Sequence, residues 1–154
     1  MAFEICKLTK SLGAEVKGLD LQETFSPSIT TKINDAFVEN VILVFRNQRL
    51  NAQQFLAAAK QLGQPAVQKL SQYKVPDCPM VSYVSNQEKT NTGKPKLLGK
   101  AWHTDHSFQP EPPKATLLHG VKLPKRGGDT WFANMTLAYY TLPKELKDRI
   151  SGLE

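Results

Sequence analysis

The chain has 154 residues, of which 40% are apolar, and this is enough to bury the core of one ordinary domain. That composition excludes an intrinsically disordered chain. The longest apolar run, residues 41–45, is far too short to cross a bilayer, so no membrane segment is predicted. The N-terminus alternates charged and apolar residues and lacks the apolar stretch of a signal peptide, which indicates a cytoplasmic protein.

Basic residues exceed acidic ones, and the formal net charge is +6 at pH 7. The excess is concentrated between residues 40 and 104, where nine Lys or Arg stand against only Asp77 and Glu88. These basic residues are dispersed and do not interleave with aromatic residues, which argues against a nucleic-acid surface. An anionic small-molecule substrate fits the charge at least as well, and a solvated surface is the simplest account of it.

The first part of the chain predicts a β-hairpin or a pair of edge strands, followed by a helix and a strand. Apolar and polar residues alternate over 3–8 and 14–21, with a turn at Gly13 between them. A Ser-Pro-Ser signal opens a helix that is expected to run through 26–40. The apolar run 41–45 predicts a fully buried strand.

The next helix has the clearest local signal in the sequence. Asn51 as N-cap and Gln54 three residues later form a capping box, and Leu50 and Phe55 are placed as a hydrophobic staple. Gly63 stands where a left-handed residue commonly ends a helix. This helix is expected to be a scaffold element.

The remaining part of the chain predicts short elements around a polar loop. The loop, residues 85–100, fits a mobile lid and a tolerated surface insertion equally well. Strands are predicted at 80–84, 101–108, 115–121 and 130–132, and helices at 134–140 and 143–150.

Two potential metal ligands, His103 and Asp105, stand one residue apart in the stretch 101–108. In a β-strand, residues i and i+2 point to the same face, so this imidazole and this carboxylate can converge on one ion. One His and one carboxylate are two of the three ligands of the facial triad that holds non-haem Fe(II) and leaves positions open. Alone, however, a His-x-Asp tripeptide is weak evidence, because it often arises by chance.

The flanks of this motif strengthen it. The further motifs, in chain order, are Leu-Gly-Ala-Glu-Val at 12–16, Gly-Leu-Asp at 18–20, Leu-Val-Phe-Arg-Asn-Gln at 43–48, Trp-His-Thr-Asp at 102–105, Ser-Phe at 107–108, Gly-Gly-Asp-Thr at 127–130, Phe-Ala-Asn at 132–134 and Ala-Tyr at 138–139. Together they resemble the taurine dioxygenase family of Fe(II)/2-oxoglutarate-dependent oxygenases. The resemblance covers essentially the whole chain.

The resemblance implies an α+β fold with a double-stranded β-helix, or jelly-roll, core and flanking helices, in a single domain over residues 1–154. It makes His103 and Asp105 the catalytic metal ligands, with Fe(II) as the metal. It also implies that the hydroxyl of Thr130 binds a carboxylate of the co-substrate 2-oxoglutarate. The family reaction uses O₂, converts 2-oxoglutarate to succinate and CO₂, and hydroxylates a small molecule.

Substrate contacts are predicted for Trp102 and Phe108, as dry walls of the pocket, and for Lys100. Taurine-specific members of the family carry a His, a Tyr and an Asn at the positions here occupied by Gln68, Ser71 and Gly99. This difference argues against a sulfonate, while the basic excess still permits another small anionic substrate.

The other histidines and polar residues are better explained structurally. His106 should face away from the metal, at the surface or behind the ligands. His119 could be a third ligand, but its spacing differs from that of the family's distal histidine, and a strand histidine is favoured. Arg126 is interpreted as a solvated turn residue, and Tyr139 and Tyr140 as helix packing residues.

The resemblance also implies that part of the site is missing. The distal histidine and the arginine that binds 2-oxoglutarate belong to a C-terminal half that this sequence does not contain, so the chain is interpreted as an N-terminal portion with a jelly roll incomplete at its C-terminus. Such a portion is expected to be inactive alone, to bind Fe(II) poorly, and to form a homo-oligomer through uncovered strand edges and apolar faces.

Two other functions stay open. The chain could be a non-catalytic binding or assembly module that keeps the fold without a complete metal site, and a stable oligomer indifferent to metal would indicate this. It could also be a zinc hydrolase that uses His103, Asp105 and His119 on one ion.

Overall fold

The computed structural model describes residues 3–66, 73–85, 93, 99 and 101–153. The elements in chain order are β1 (Glu4–Lys7), β2 (Ala14–Lys17), α1 (Pro27–Asn40), β3 (Leu43–Val44), α2 (Ala52–Leu62), β4 (Lys74–Val75), β5 (Cys78–Ser82), α3 (Met135–Thr141) and α4 (Lys144–Ile150). They fall into two compact units. The first unit comprises Met1–Gln48 and Lys122–Glu154, and the second comprises Arg49–Val121.

The described residues mix α and β elements, with one three-stranded and one two-stranded sheet and no closed jelly roll among them. The α and β composition of the predicted fold is therefore present. None of the helices in the described part of the chain is long and apolar enough to cross a membrane.

The sheet of the first unit has the order β1-β2-β3. β1 and β2 pair antiparallel, with Ile5 opposite Val16, and β2 pairs parallel with β3. Ala14 and Val16 point inward from the central strand and are almost completely buried, as alternation requires. The predicted hairpin is confirmed, although its second strand ends at Lys17 instead of residue 21.

Helix α1 begins and ends where its sequence signals predict. The side-chain oxygen of Ser26 accepts a hydrogen bond from the amide of Ile29, and the proline that follows Ser26 occupies the first turn, where its missing N–H costs nothing. Ile33 and Ala36 are buried on one side of the helix. The buried side chain of Asn40 donates to the carbonyl of Ala36 at 2.9 Å, which satisfies it at the last turn.

The chain reverses between α1 and β3 at a single residue, Val41. This residue has φ 66° and ψ −36°, and the amide of Ile42 donates to the carbonyl of Asn40 at 2.7 Å. A hydrogen bond across one residue with positive φ defines a strained form of γ-turn. The same Asn40 carbonyl also accepts from the amide of Gly13 at 2.7 Å, which ties the turn to the start of β2.

This turn corrects the prediction of a fully buried strand at 41–45. Only Leu43 and Val44 form β3, both are half-buried, and Val41 is 40% exposed. The physical reason is that the first residues of the apolar run are used to turn the chain, which leaves two residues for the ladder.

The predicted C-terminal helices are confirmed as α3 and α4. Oδ1 of Asn134 accepts from the amide of Leu137 at 2.9 Å and caps α3, while its Nδ2 donates to the carbonyl of Ser11 at 2.6 Å. The rings of Tyr139 and Tyr140 lie edge to face with their centroids 6.2 Å apart. Both rings are exposed, so they contact each other but are not buried in a helix interface.

Helix α2 of the second unit has the predicted capping box. The Asn51 side chain accepts from the amide of Gln54, and the Gln54 side chain accepts from the amide of Asn51, both at 2.9 Å. Gly63 is extended, with φ 168°, and not left-handed as predicted. Its amide still closes the last turn onto the carbonyl of Ala59 at 3.1 Å, after which the chain leaves the helix extended. The staple contact between residues 50 and 55 stays a prediction.

Strands β4 and β5 form a short antiparallel hairpin beside α2. Cys78 is buried, and its thiol donates to the carbonyl of Ala52 at 3.6 Å. β5 confirms the predicted strand at 80–84 but lies two residues earlier. Of the predicted lid, the structure describes only Ser85, Gly93 and Gly99, and its two interpretations therefore lie outside the described residues.

The predicted strands at 101–108, 115–121 and 130–132 are wrong in this structure. Residues 105–108 form turns, and the other two segments follow no regular element. A strand exists only when another strand completes its hydrogen-bond ladder, and no described residue pairs with these segments. An alternating sequence alone is therefore not sufficient to form a strand.

Candidate metal centre

His103 and Asp105 meet in the second unit as their spacing predicts, although they stand on irregular chain and not on a strand. Nε2 of His103 lies 3.2 Å from Oδ1 of Asp105. Residues 102–104 are irregular, and a turn begins at Asp105. The turn therefore achieves the convergence that was expected from a strand.

A backbone carbonyl orients the His103 ring. Nδ1 lies 2.8 Å from the carbonyl oxygen of Ala101. Because a carbonyl can only accept, Nδ1 carries the hydrogen in this contact. Nε2 is then the nitrogen that faces Asp105, and it is the atom available for a metal. Metal-bound histidines are commonly held in this way through their second nitrogen.

A hydroxyl group orients the Asp105 carboxylate. Oγ1 of Thr116 donates to Oδ2 of Asp105 at 2.7 Å, while Oδ1 faces His103. One carboxylate oxygen is thus occupied by the protein and the other is directed to the candidate site. The sequence interpretation missed Thr116, because no motif marks a residue eleven positions downstream.

The separation of the two ligand atoms fits one divalent ion. Bonds of about 2.1 Å at a right angle would place the two ligand atoms about 3.0 Å apart. The observed 3.2 Å is close to this value. The side chains of His103 and Asp105 are 58% and 43% exposed, so solvent reaches both. The pair can supply two adjacent positions of an open coordination sphere.

Among the described residues, no third protein ligand joins this pair. Within the described part of the chain, no group of three His, Cys, Asp or Glu side chains could hold a metal ion. The ring of His119 instead stacks on Phe55, with centroids 5.7 Å apart and an interplanar angle of 26°. The zinc-hydrolase hypothesis is therefore wrong, because it needs His103, Asp105 and His119 on one ion, and the interpretation of His119 as a packing residue agrees with the stacking.

His106 contacts its own turn. It has a positive φ of 53°, its Nδ1 lies 3.3 Å from Nε2 of Gln109, and its ring centroid lies 6.0 Å from that of Phe108. These contacts agree with a role outside the metal ligands.

The aromatic walls predicted for the substrate pocket are not formed here. Trp102 is 70% exposed and Phe108 is 79% exposed, since both project from the irregular segment that carries the ligands. Gly99 has φ 68°, and a Cβ atom placed on it would lie 3.9 Å from Cε1 of His103. The predictions for Lys100, Gln68 and Ser71 concern residues outside the described ones.

Thr130 belongs to the first unit. It is exposed and follows Gly127 and Gly128, whose φ values are 69° and 74°. Arg126, just before these glycines, is also exposed, in agreement with a solvated turn residue. The predicted contact of Thr130 with 2-oxoglutarate stays a prediction.

The profile of a family described as "Taurine catabolism dioxygenase TauD, TfdA family" matches residues 4–154. The chain belongs to this family. The predicted resemblance is thereby confirmed. The His103–Asp105 pair is interpreted below as part of a TauD/TfdA protein.

Characterised TauD/TfdA relatives are longer than this chain. It is 31% identical over 150 residues to the alpha-ketoglutarate-dependent 2,4-dichlorophenoxyacetate dioxygenase of Burkholderia sp. (strain RASC), covering 90% of this chain and 50% of that protein. It is 32% identical over 138 residues to the alpha-ketoglutarate-dependent sulfate ester dioxygenase of Pseudomonas putida, covering 89% and 43%. The chain spans about half the length of the curated relatives it matches.

This chain also matches about half the length of a solved TauD/TfdA structure. The crystal structure of a taurine dioxygenase from Burkholderia xenovorans superposes with a TM-score of 0.83 at 31% identity. The match covers 99% of this chain and 52% of that one. The chain therefore matches about half of a solved family member.

Proposed function

We propose that the whole protein is an Fe(II)- and 2-oxoglutarate-dependent dioxygenase that uses O₂ to hydroxylate a small anionic organic molecule, with release of succinate and CO₂. The observation that carries this proposal is the 3.2 Å approach of Nε2 of His103 to Oδ1 of Asp105 in a member of the TauD/TfdA family. A neutral imidazole and a carboxylate at adjacent positions are the donor types that suit non-haem iron.

His103 and Asp105 hold the metal, and each has a defined task. The bond from Nδ1 of His103 to Ala101 fixes the ring so that the lone pair of Nε2 faces the ion. Asp105 contributes one oxygen and one negative charge, which partly balances the charge of a divalent cation. Bound Fe(II) supplies the activation of O₂ that side chains cannot provide.

We propose that Thr130 and residues outside this chain bind 2-oxoglutarate, and that the third metal ligand also lies outside this chain. The hydroxyl of Thr130 donates to a carboxylate of 2-oxoglutarate. The third ligand and the arginine that pairs with the other carboxylate are supplied by sequence corresponding to the half of the relatives that this chain does not match. The support is the coverage, 90% of this chain but 50% of a relative.

The proposed architecture is a double-stranded β-helix core with flanking helices, to which residues 1–154 contribute the N-terminal portion of one domain. A TM-score of 0.83 over 99% of the chain supports this fold.

An anionic substrate is supported by the relatives and by the charge. The two relatives compared above act on 2,4-dichlorophenoxyacetate and on sulfate esters, and both are anions. The basic excess between residues 40 and 104 attracts such molecules. We place Lys100, Trp102 and Phe108 among the substrate contacts, with the two rings covered by the other portion of the protein.

The test uses the protein at the length of its relatives. Addition of Fe(II) and 2-oxoglutarate without O₂ should produce the weak visible charge-transfer band of the chelate, and O₂ with substrate should then yield succinate. His103→Ala and Asp105→Ala should lose both signals. The matched control is His106→Ala, since this neighbouring histidine contacts Gln109 and Phe108 and should leave the band in place.

The coding sequence after the codon for Glu154 is the simplest first measurement. A histidine followed within about one strand and turn by an arginine would complete the proposed site. A stop codon there, or a full-length protein with neither band nor succinate, would overturn the catalytic proposal and support an assembly module instead.

We also propose that the 154-residue chain self-associates when it is produced alone. Large apolar side chains of the first unit are exposed, among them Leu123, Trp131 and Tyr140. Many large apolar side chains exposed together favour association in water. Sedimentation velocity across a range of concentrations should show oligomers, and a monomer at high concentration would contradict this proposal.

A further inference from the structure

We infer that Thr116 is a positioning residue of the metal centre, whose hydroxyl fixes the Asp105 carboxylate so that it offers a single oxygen to the ion. This inference rests on the proposed function, because it concerns how one of the proposed ligands is held. Neither the family match nor the His-x-Asp motif points to Thr116.

The hydrogen-bond geometry separates the two oxygens of Asp105. Oδ2 accepts from Oγ1 of Thr116 at 2.7 Å, an ordinary distance for a hydroxyl donor. Oδ1 lies 3.2 Å from Nε2 of His103. A free carboxylate can bind a metal through one oxygen or through both. With Oδ2 engaged, one oxygen remains directed to the ion.

The same principle applies to both proposed ligands. His103 is held through Nδ1 by the carbonyl of Ala101, and Asp105 is held through Oδ2 by Thr116. In each case, the protein contacts the atom that does not face the proposed ion. Such outer contacts orient metal ligands and make a large difference to metal affinity.

The chain between Asp105 and Thr116 is suited to keep this contact in place. It contains Pro110, Pro112 and Pro113, and each proline ring restricts φ. Fewer conformations are therefore open to the loop. Threonine is itself β-branched and has few χ1 rotamers, so its hydroxyl loses little freedom when it binds Asp105.

The hydrogen bond between Thr116 and Asp105 is exposed to solvent, so it should affect the orientation of the carboxylate more than the stability of the fold. Asp105 is 43% exposed and Thr116 is also exposed, so water can replace the hydroxyl when no metal is present. Loss of the hydroxyl should therefore leave the fold nearly unchanged. It should instead free the carboxylate to rotate, and the metal must then order it on binding.

The experiment measures Co(II) binding to the protein at the length of its relatives by ¹H–¹⁵N correlation spectra, which need no catalytic activity. Thr116→Val keeps the shape but removes the hydroxyl, and we expect the apparent Kd to rise about tenfold, at the lower end of the effect of such outer contacts. Thr116→Ser keeps the hydroxyl and should stay within about twofold of the parent chain. Thr136→Val, at an exposed position of α3, is the matched control.

The visible spectrum of bound Co(II) distinguishes positioning from a general effect on the loop. In Thr116→Val, both Asp105 oxygens are free to bind, so the coordination number should rise and the absorption should weaken. Thr116→Ser should restore the parent spectrum. If the amide spectrum of Thr116→Val changes far from residues 101–118, the pair Thr116→Ala and Thr116→Ser replaces this comparison.

Asp105→Ala separates failure of this inference from failure of the proposed function. If the full-length parent protein binds no Co(II), or if its Asp105→Ala variant binds it equally well, the metal centre itself is wrong and the inference fails with it. If Asp105→Ala loses binding while Thr116→Val binds as tightly as the parent chain, the metal centre stands and the role of Thr116 is refuted.

Discussion

Helix α2 and the ligand-bearing stretch 101–121 belong to the same unit. The helix forms as its sequence predicts, whereas the strands predicted in the stretch do not form. The helix begins at Asn51 with both capping hydrogen bonds formed, and it buries Ala58. The stretch 101–121 has alternating segments but forms no strand among the described residues. A helix satisfies its backbone within itself, whereas a strand depends on a partner that its own sequence does not specify.

The first unit repeats this contrast. β2 lies between β1 and β3, and it buries Ala14 and Val16. Residues 122–134, in the same unit, form no regular element and are largely exposed. In both comparisons the regular element buries side chains while the irregular segment is largely exposed, although α3 and α4 are helical without a buried residue. The regular and irregular segments can be distinguished by experiment.

Amide hydrogen exchange should show the largest difference. The amide of Ala14 donates to the carbonyl of Ile42 at 2.9 Å within a buried strand, whereas Leu118 lies outside any helix or strand. We expect Ala14 to exchange slower by on the order of a thousandfold, because its amide opens only on substantial unfolding. Exchange is followed by NMR after transfer to D₂O. Equal protection at Leu118 would mean that this segment has a ladder partner after all.

A matched pair of leucine truncations should show the next largest difference. Leu19 is 4% exposed and Leu123 is 76% exposed, both in the first unit. Leu19→Ala should lower the free energy of unfolding by about 2–5 kcal/mol, because it leaves a cavity. Leu123→Ala should change it by less than about 0.5 kcal/mol. Urea denaturation gives both values, and a large loss at Leu123 would show that this region is packed in solution.

Removal of the α2 cap should have a moderate effect. Asn51→Ala eliminates the acceptor for the amide of Gln54 and should lower the free energy of unfolding by about 1 kcal/mol. Asn51→Asp is the matched control, since aspartate caps equally well and its charge suits a helix N-terminus. Both variants are compared by thermal denaturation. If the two variants lose the same stability, the cap is not the reason for the loss.

The smallest effect is expected at the ion pair of α4. Nζ of Lys144 contacts Oδ2 of Asp148, and these side chains are 87% and 61% exposed. Lys144→Ala should change the free energy of unfolding by less than about 0.5 kcal/mol, because water and salt screen the pair. The same measurement at low and high salt should give nearly equal values. A larger loss would indicate that α4 is buried in solution.

The parts of the fold that could be predicted are those with local chemistry. Ser26, Asn51 and Asn134 each begin a helix as predicted, because an N-cap bonds to an amide three residues away. The segment 115–121 shows the limit. Its alternation indicates which residues share a face but not which strand completes the ladder, and no described residue does so.

The candidate site also has residues that the sequence could predict and residues that it could not. His103 and Asp105 could be found from their spacing and from the motifs around them, and their side chains do meet. Thr116 could not, because its contact depends on the path of the turn between it and Asp105. The exposure of Trp102 and Phe108 was also not predictable, since a pocket wall requires residues on its other side.

The γ-turn at Val41 has a consequence for how this sequence can change over evolution. A β-branched residue at φ 66° is strained, so replacement by glycine should relieve the backbone, and we expect it to be tolerated at this position. We do not expect an insertion to be tolerated. The carbonyl of Asn40 serves the amides of both Gly13 and Ile42, and one added residue would separate two hydrogen bonds that join helix, hairpin and strand. The length of this junction is therefore more constrained than its side chain.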